Sequence, residues 1–466
     1  MNKKILVVGN YAREHALAWK LAQSPRVEKL YIAPGNGGTQ SNPRLSASAS
    51  RRYPRASAAV ENVPIAPTDI PKLVEFALEK KIDITVVASD DPLAAGIVDA
   101  FEAKGLKIFG PTKAAARIES SKGFAKKLMQ EHGIPTAKFQ TFDSYDAARA
   151  YVREMCDKVK PSAFSRFNLP APVVIKADGL ALGKGVIIAA THEEAEDALK
   201  KIMVEKVFGN SGARVVIEEF LKGEEFSAHA FTDGKTFKLF PFSQDHKAIF
   251  EGDKGPNTGG VGTVAPLTWV GETGTKIVAE KIVAPALDAL KEIGTPFRGL
   301  LYPGLMMTAD GPKAIEFNAR FGDPECESYM RLLKTDLLDI VEACIDGTLE
   351  KVNIEWHPGF ACCIILCSGG YPGAYEKGKE ITGIEEAEKV PDVVIFHAGT
   401  ITADGRGYNA DERRLVTSGG RVLGVTATGE TLKAALDKAY EAAGKIHFDG
   451  MYYRKDIGAK ALRHEG

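Results

Sequence analysis

Over the first 112 residues, short β-branched runs alternate with stretches whose apolar positions recur every three or four residues. The runs at 5–8, 30–33, 82–88 and 106–109 predict strands, and the stretches at 14–23, 69–81 and 92–104 predict helices. Thr68 is the expected cap of the second helix, with Pro71 in its first turn. Strands alternating with helices of this length imply parallel βαβ units and an open doubly wound sheet. Ligands of such sheets bind beyond the carboxyl ends of the strands. Here those ends are the segment from Gly9 to His15 and the segment from Ala88 to Pro92.

From residue 113 the texture changes. A helix expected at 121–133 leads into short strands, helices and glycine-rich turns that run to about residue 350. Strands at 361–367, 393–397 and 421–426 and a helix at 432–444 then predict an α+β segment. The expected architecture is α/β and α+β multidomain, divided into 1–112, 113–350 and 351–466. Two aperiodic stretches interrupt it. Residues 41–59 are rich in Ser, Ala and Arg and read as a surface insertion, with an anion-binding arm as the alternative. Residues 160–172 contain three prolines and precede the most informative motif.

Composition narrows the function. The 466 residues exceed one core, and 60 basic against 61 acidic residues give no net field toward nucleic acid or a membrane surface. No apolar run approaches the roughly 18 residues of a membrane span, and the chain enters its first strand without a signal-peptide pattern. The 6 cysteines lack C-x2-C spacing. On a strand, Cys363 and Cys367 share one face with Cys362 on the other, and all three read as buried structural thiols. A cytoplasmic protein acting on small molecules is expected, as a monomer or small homo-oligomer, without nucleic-acid or membrane partners.

Three constellations carry chemistry. Val173-Val-Ile-Lys176-Ala-Asp-Gly179-Leu-Ala-Leu-Gly183-Lys184-Gly185 opens a hairpin whose tip combines glycines with lysines. Backbone without Cβ can wrap a phosphate chain, while the N–H groups and lysines supply positive charge. The spacing is not that of a P-loop, and the bland reading is a plain glycine-tipped hairpin. Val215-Val-Ile-Glu218-Glu219-Phe-Leu221, followed by Glu225, ends an apolar strand in acids. That suits an adenine edge with a carboxylate on the ribose hydroxyls, although surface acids are the bland alternative. On the run Glu316-Phe-Asn318-Ala-Arg320-Phe-Gly-Asp323-Pro-Glu325, strand alternation puts Glu316, Asn318 and Arg320 on one face. A carboxylate and an amide oxygen two residues apart suit Mg²⁺. Arg320 could neutralise charge on a transferred phosphoryl or acyl-phosphate group. The bland reading of this run is a polar, solvated strand face.

Lys122 in a Ser-Lys helix, Lys176, Glu218 with Glu225, and the Glu-x-Asn-x-Arg strand follow one another as in ATP-grasp enzymes, which the chain resembles. More specifically it resembles the phosphoribosylamine–glycine ligase (glycinamide ribonucleotide synthetase) family. The motifs are Arg13-Glu-His-Ala16, Phe109-Gly-Pro-Thr112, Lys176-Ala-Asp-Gly-Leu-Ala181, Ser243-Gln-Asp-His-Lys247, Gly255-Pro-Asn-Thr-Gly-Gly260, the run 316–325, Gly369-Gly-Tyr-Pro-Gly373, Phe396-His-Ala-Gly-Thr400 and Asp449-Gly-Met-Tyr-Tyr453. They span nearly the whole chain.

The resemblance implies a central ATP-grasp fold. It also implies ATP-driven joining of glycine to 5-phosphoribosylamine through glycyl phosphate, in purine biosynthesis, with Mg²⁺ or Mn²⁺. A paralogous ligase with another amino acid or amine is the alternative. The resemblance further implies that Lys122, Lys176, Glu218 and Glu225 hold ATP, with Glu219, Leu221 and the turn Gly183, Lys184 and Gly185. Lys247 is expected at the γ-phosphate, Arg320 beside the transferred group, and Glu316 and Asn318 on the metal. A further metal carboxylate found in many ATP-grasp enzymes is replaced here by Gly304. The phosphoribosyl end is expected at Gly9, Arg13, Glu14 and His15, with Asp90, Asp323 and Arg421 on the amine side. Three positions depart from the family pattern: Tyr11 replaces a glycine, Asp90 a longer acid, and Ala248 an arginine.

Overall fold

The computed structural model describes residues 2–41, 58–158, 172–180, 185–403 and 414–465. Its first sheet is parallel throughout. Lys3–Gly9 pairs on one side with Val27–Pro34 and then Ala59–Asn62, and on the other with Ile84–Val87 and then Ile108–Phe109. The strand order reverses between Lys3–Gly9 and Ile84–Val87, so the two loops singled out in the sequence leave adjacent strand ends. The expected helix at 92–104 is divided into Asp90–Ala95 and Ile97–Glu102, because Gly96 takes φ +95. The expected insertion is also shorter than 41–59. Ala58 is fully buried and Ala59–Asn62 is an edge strand; residues 42–57 lie outside the described residues.

Two antiparallel sheets build the centre. A four-stranded sheet runs Phe139–Phe142, Val215–Glu219, Val173–Ala177, Val186–Ala189. It has its own apolar core, in which Val173, Ile175, Val215 and Ile217 pack on Ala195, Ala198 and Leu199. The second sheet is organised on the long strand Arg298–Thr308, flanked by Glu224–Ser227, Ala230–Asp233 and Gly311–Asn318. Helix Lys113–Ser120, capped by Thr112, and helix Lys122–Glu131, capped by Ser121, connect the first sheet to this region.

The last sheet takes in strands from both sides of residue 350. Gln244–Asp245 and Gly262–Ala265 lead into Phe360–Cys367, Arg421–Gly429 and Val393–His397. Helix Leu432–Ala443 buries Leu432, Ala435, Leu436 and Ala439 in the same core. The cysteine strand alternates as expected: Cys362, Ile364 and Leu366 enter the main core, while Cys363, Ile365 and Cys367 pack with Ile249 and Val261. Among the described residues, no helix is long and apolar enough to cross a membrane.

Candidate active site

The small four-stranded sheet meets strand Gly311–Asn318 through a buried lysine–carboxylate cluster. Lys176 Nζ lies 2.9 Å from one oxygen of Glu218 and donates to the Ile315 carbonyl at 3.2 Å. Lys126 Nζ lies 2.9 Å from the other oxygen and donates to Thr136 Oγ1 at 2.7 Å. Thr136 in turn donates to the Ala314 carbonyl at 2.6 Å. Glu218 thus carries two lysines, and both tie one sheet to the other. Burial, helped by the neighbouring Lys176, brings the Lys126 ammonium down to about 8.

Lys122, in the first turn of its helix, donates to the Gly179 carbonyl at 2.9 Å. Asp178 fastens the same helix end, accepting from Ser121 Oγ at 3.1 Å and from the Gly123 N–H at 3.0 Å. The Gly185 carbonyl accepts from the Ala177 N–H at 2.8 Å and closes the base of the hairpin. Gly183 and Lys184 lie outside the described residues. Glu219 accepts from the Lys138 N–H at 3.0 Å, and half-buried Leu221 lies in the connection between the two sheets.

Glu316 stands at the centre, opposite Gly304 across the antiparallel pair. A Cβ at Gly304 would lie 3.4 Å from Glu316 Cγ, so a side chain there would share the space of this carboxylate. Burial works against the charge of Glu316, yet Lys247, Lys176, Lys122 and Arg320 hold it below the ordinary carboxylate range. Lys247 forms a close ion pair with Glu225. Burial opposes the Lys247 charge too, but Glu225, Glu316 and Asp245 keep it protonated.

Asn318 donates to the Tyr302 carbonyl at 3.3 Å and accepts from Arg320 at 3.2 Å. Contrary to the alternation expected, the strand ends at Asn318 and Arg320 lies beyond it. Arg320 is turned to Glu119 at 3.0 Å. Glu119 also accepts from the Ala319 N–H at 2.8 Å, and burial, against the pull of Arg320, raises its carboxyl to about 7.

The donor set fits a hard divalent cation that arrives with phosphate. Among the described residues the Glu316 carboxylate has no hydrogen-bond or ion-pair partner, and the Asn318 amide oxygen is two residues away. Among those residues no three His, Cys, Asp or Glu side chains form a cage of their own. Phosphate oxygens would therefore complete the coordination.

The N-terminal loop is tighter than a bare phosphate cradle. Glu14 folds back over the helix start, accepting from the Tyr11 N–H at 2.9 Å and from Arg13 Nε at 2.7 Å. A Cβ on Gly9, at φ +139, would lie 2.4 Å from Glu14 Cγ, which explains the glycine. Arg13 is buried and also donates to the Phe321 carbonyl at 3.2 Å. His15 Nδ1 accepts from the His397 N–H at 2.9 Å, and burial, with His397 beside it, pushes the imidazole well below its ordinary pKa. Arg13, Glu14 and His15 are thus held in seams of the fold. The Tyr11 ring is exposed, with the Arg421 guanidinium 6.0 Å from its centroid, and leaves the space beside Gly9 to Glu14.

Arg421 gathers the residues expected on the amine side. It pairs with Asp323 Oδ1 at 3.0 Å and donates to the carbonyls of Asp323 at 2.7 Å and Gly259 at 3.0 Å. A Cβ at Gly259 would lie 3.1 Å from its Cζ, so the glycine admits the guanidinium. Asp90, at the start of helix Asp90–Ala95, adds its charge to those acting on Arg320.

Sequence reasoning did not single out Glu119, Lys126, Asp178, Asp245 or the cluster of Ser227, Tyr302 and Glu325. In that cluster both hydroxyls donate to one Glu325 oxygen, at 3.0 Å and 2.5 Å. Asp178, Asp245 and Glu325 do stand inside quoted motifs, and Lys126 follows Lys122 by one helical turn. Glu119 had no such signal.

Three family models cover the chain in order: the phosphoribosylglycinamide synthetase N domain over residues 3–119, the ATP-grasp (A) domain over 120–326 and the C domain over 361–460. The phosphoribosylamine–glycine ligase of Ralstonia nicotianae is 48% identical over 462 residues, 99% of this chain and all of its own. The crystal structure of phosphoribosylamine–glycine ligase from Thermotoga maritima, 34% identical, superposes with a TM-score of 0.77 over 97% of this chain and all of the other. The biotin carboxylase domain of Hydrogenobacter thermophilus 2-oxoglutarate carboxylase superposes at 0.67, over all of this chain and 94% of that one, with 15% identity. That last likeness speaks for the fold alone. Taken with the ordered geometry of the site, these matches show that the chain belongs to the phosphoribosylamine–glycine ligase family, the phosphoribosylglycinamide synthetases.

Proposed function

We propose that this chain joins glycine to 5-phosphoribosylamine, converting ATP to ADP and phosphate and giving glycinamide ribonucleotide for purine biosynthesis. The observation that carries the reading is the cationic ring of Lys122, Lys176, Lys247 and Arg320 around Glu316. A glycine carboxylate oxygen attacks the γ-phosphorus, ADP leaves, and glycyl phosphate forms. The amine nitrogen then attacks the acyl carbon, the C–O bond to phosphate breaks, and the nitrogen loses one proton. Neither step needs a protein nucleophile; both need positioning and neutralisation of charge.

In this reading Lys122, Lys176, Glu218, Glu219, Leu221, Glu225 and the turn at Gly183, Lys184 and Gly185 hold ATP. Lys247 meets the γ-phosphate, and Arg320 stabilises the transferred group. Glu316 and Asn318 hold Mg²⁺ or Mn²⁺, which when bound screens the phosphate charge. Gly9, Arg13, Glu14 and His15 shape the phosphoribosyl end, and Asp90, Asp323 and Arg421 the amine side. The proposal extends to a cytoplasmic monomer or small homo-oligomer divided at about 112 and 350, working without nucleic acid or membrane.

The test is ADP release with ATP, Mg²⁺ and glycine, with and without fresh phosphoribosylamine. Release that needs both substrates and collapses in Glu316→Gln is expected. Release indifferent to phosphoribosylamine would overturn the assignment of the amine.

A further inference from the structure

Glu327 is unlike the other acids around the site. It lies in the first turn of helix Glu325–Leu332, is 0% exposed, and neither carboxylate oxygen has a hydrogen-bond partner among the described residues. A buried carboxylate in that condition must find a cation or keep a proton. The elements around it define what is on offer. Strand Arg421–Gly429 supplies Arg421, already paired with Asp323 Oδ1. Helix Ala12–Leu21 supplies Arg13, already paired with Glu14. Strand Phe360–Cys367 brings Cys363, and strand Gly262–Ala265 no titratable side chain; the helix itself carries Cys326 and, one turn on, Arg331, which donates to Thr426 Oγ1 at 3.2 Å and to the Asp392 carbonyl at 2.8 Å. Arg421 and Arg13 thus already have carboxylate partners in Asp323 and Glu14, and Glu327 has none among the described residues.

A second orphan stands four residues earlier in the chain. Asp323 Oδ2 is buried and also lacks a partner, while its Oδ1 is held by Arg421. Asp323 and Glu327 sit four residues apart at the start of one helix, and each charge acts on the other. One proton satisfies both: a carboxylic acid at Glu327 can donate to the open oxygen of Asp323. The helix N-terminus and the amide N–H of Glu327 favour its charged form. Near a helix start that help is smaller than the penalty of burying an unpaired ion.

We propose that Glu327 is a neutral carboxylic acid in the folded protein, donating its proton to Asp323 Oδ2 and so acting as a positioning residue for the Asp323–Arg421 pair. Its positioning role rests on the placement of the amine substrate beside that pair; its protonation does not. Burial, reinforced by Asp323, also raises the Glu327 carboxyl well above the ordinary range.

The experiment compares wild type, Glu327→Gln and Glu327→Leu. In infrared difference spectra at neutral pH, wild type minus Glu327→Gln should show the C=O band of a protonated carboxyl. In thermal melts from about pH 5 to pH 8, the native chain keeps a proton that the unfolded one releases above about pH 4.3, so wild type loses stability as pH rises. The advantage of the Gln variant should therefore grow with pH. In steady-state assays, Gln offers Asp323 an N–H and should rescue the KM for phosphoribosylamine to within about threefold, whereas Leu should raise it about tenfold with kcat little changed. Absence of the band, a melt offset independent of pH, or equal KM values for Gln and Leu would each overturn the proposal. A wild-type chain inactive with phosphoribosylamine would instead remove the amine assignment, and the spectra and melts would still judge Glu327.

Discussion

Replacing Glu119 with Gln removes the charge of this carboxyl while keeping its shape and the oxygen that accepts from the Ala319 N–H. Its side chain is 9% exposed and 3.0 Å from Arg320. Burial outweighs that ion pair and lifts the carboxyl from 4.5 to about 7. Between those values the native chain holds a proton that the unfolded chain has released, so stability falls as pH rises through the window. At about 1.4 kcal/mol per unit the full shift is worth about 3 kcal/mol. Roughly 2 kcal/mol of it develops between about pH 5.5 and pH 8. Gln does not titrate, and the other titrating groups are common to both proteins. Urea unfolding at several pH values, without nucleotide or metal, should therefore show the variant gaining about 2 kcal/mol on wild type across that interval. Loss of the Arg320 partner shifts the whole curve without changing its slope. An offset constant to within about 0.5 kcal/mol would refute the reasoning and mean that Arg320 keeps Glu119 ionised throughout.

Gly38→Ala should destabilise the chain by about 1–3 kcal/mol in urea unfolding, because overpacking is costly; its Cβ would fall 2.4 Å from His397 Cγ and 2.7 Å from His15 Cε1. An unchanged midpoint would mean that this seam gives way freely. Burial pushes the thiols of Cys362 and Cys367 up to about 12, so mass spectrometry of the alkylated native protein should find the 360–367 segment unmodified until denaturant is added. Gly304→Asp would set a second carboxylate against Glu316 and should tighten Mn²⁺ binding in the presence of ADP at least about tenfold, read by electron paramagnetic resonance. Unchanged affinity would place the metal elsewhere.

The parallel sheet was legible because Ile5, Leu6, Val7 and Val8 and their counterparts are buried on both faces, which forces continuous apolar runs. The edge strand Ala59–Asn62 was not: it is four residues long, none of them fully buried, and its pattern gives no period. Gln244–Asp245 and Gly262–Ala265 escaped because they are only two and four residues long, and with them the sharing of one sheet across residue 350. The motif residues of the site were legible as a set. Their partners were not, because a contact such as His397 N–H to His15, 382 positions apart, leaves no local pattern.

That difference bears on how the site works. The sequence names the cations proposed to meet the substrates, and only the fold shows which anions and carbonyls of the chain they pair with. Glu218 is shared by Lys176 and Lys126, Lys247 is held by Glu225, Arg320 by Glu119 and Asn318, and Arg421 by Asp323. Lys122 is bound to the Gly179 carbonyl. Left unpaired in this half-buried setting, these cations would repel one another at a cost of several kcal/mol. If these cations take the roles proposed above, substrate phosphates exchange with resident anions rather than fill empty sites. In that exchange the acids carry as much of the positioning as the lysines, and a carboxyl such as Glu119, whose burial brings it to about 7, can leave its cation by taking up a proton.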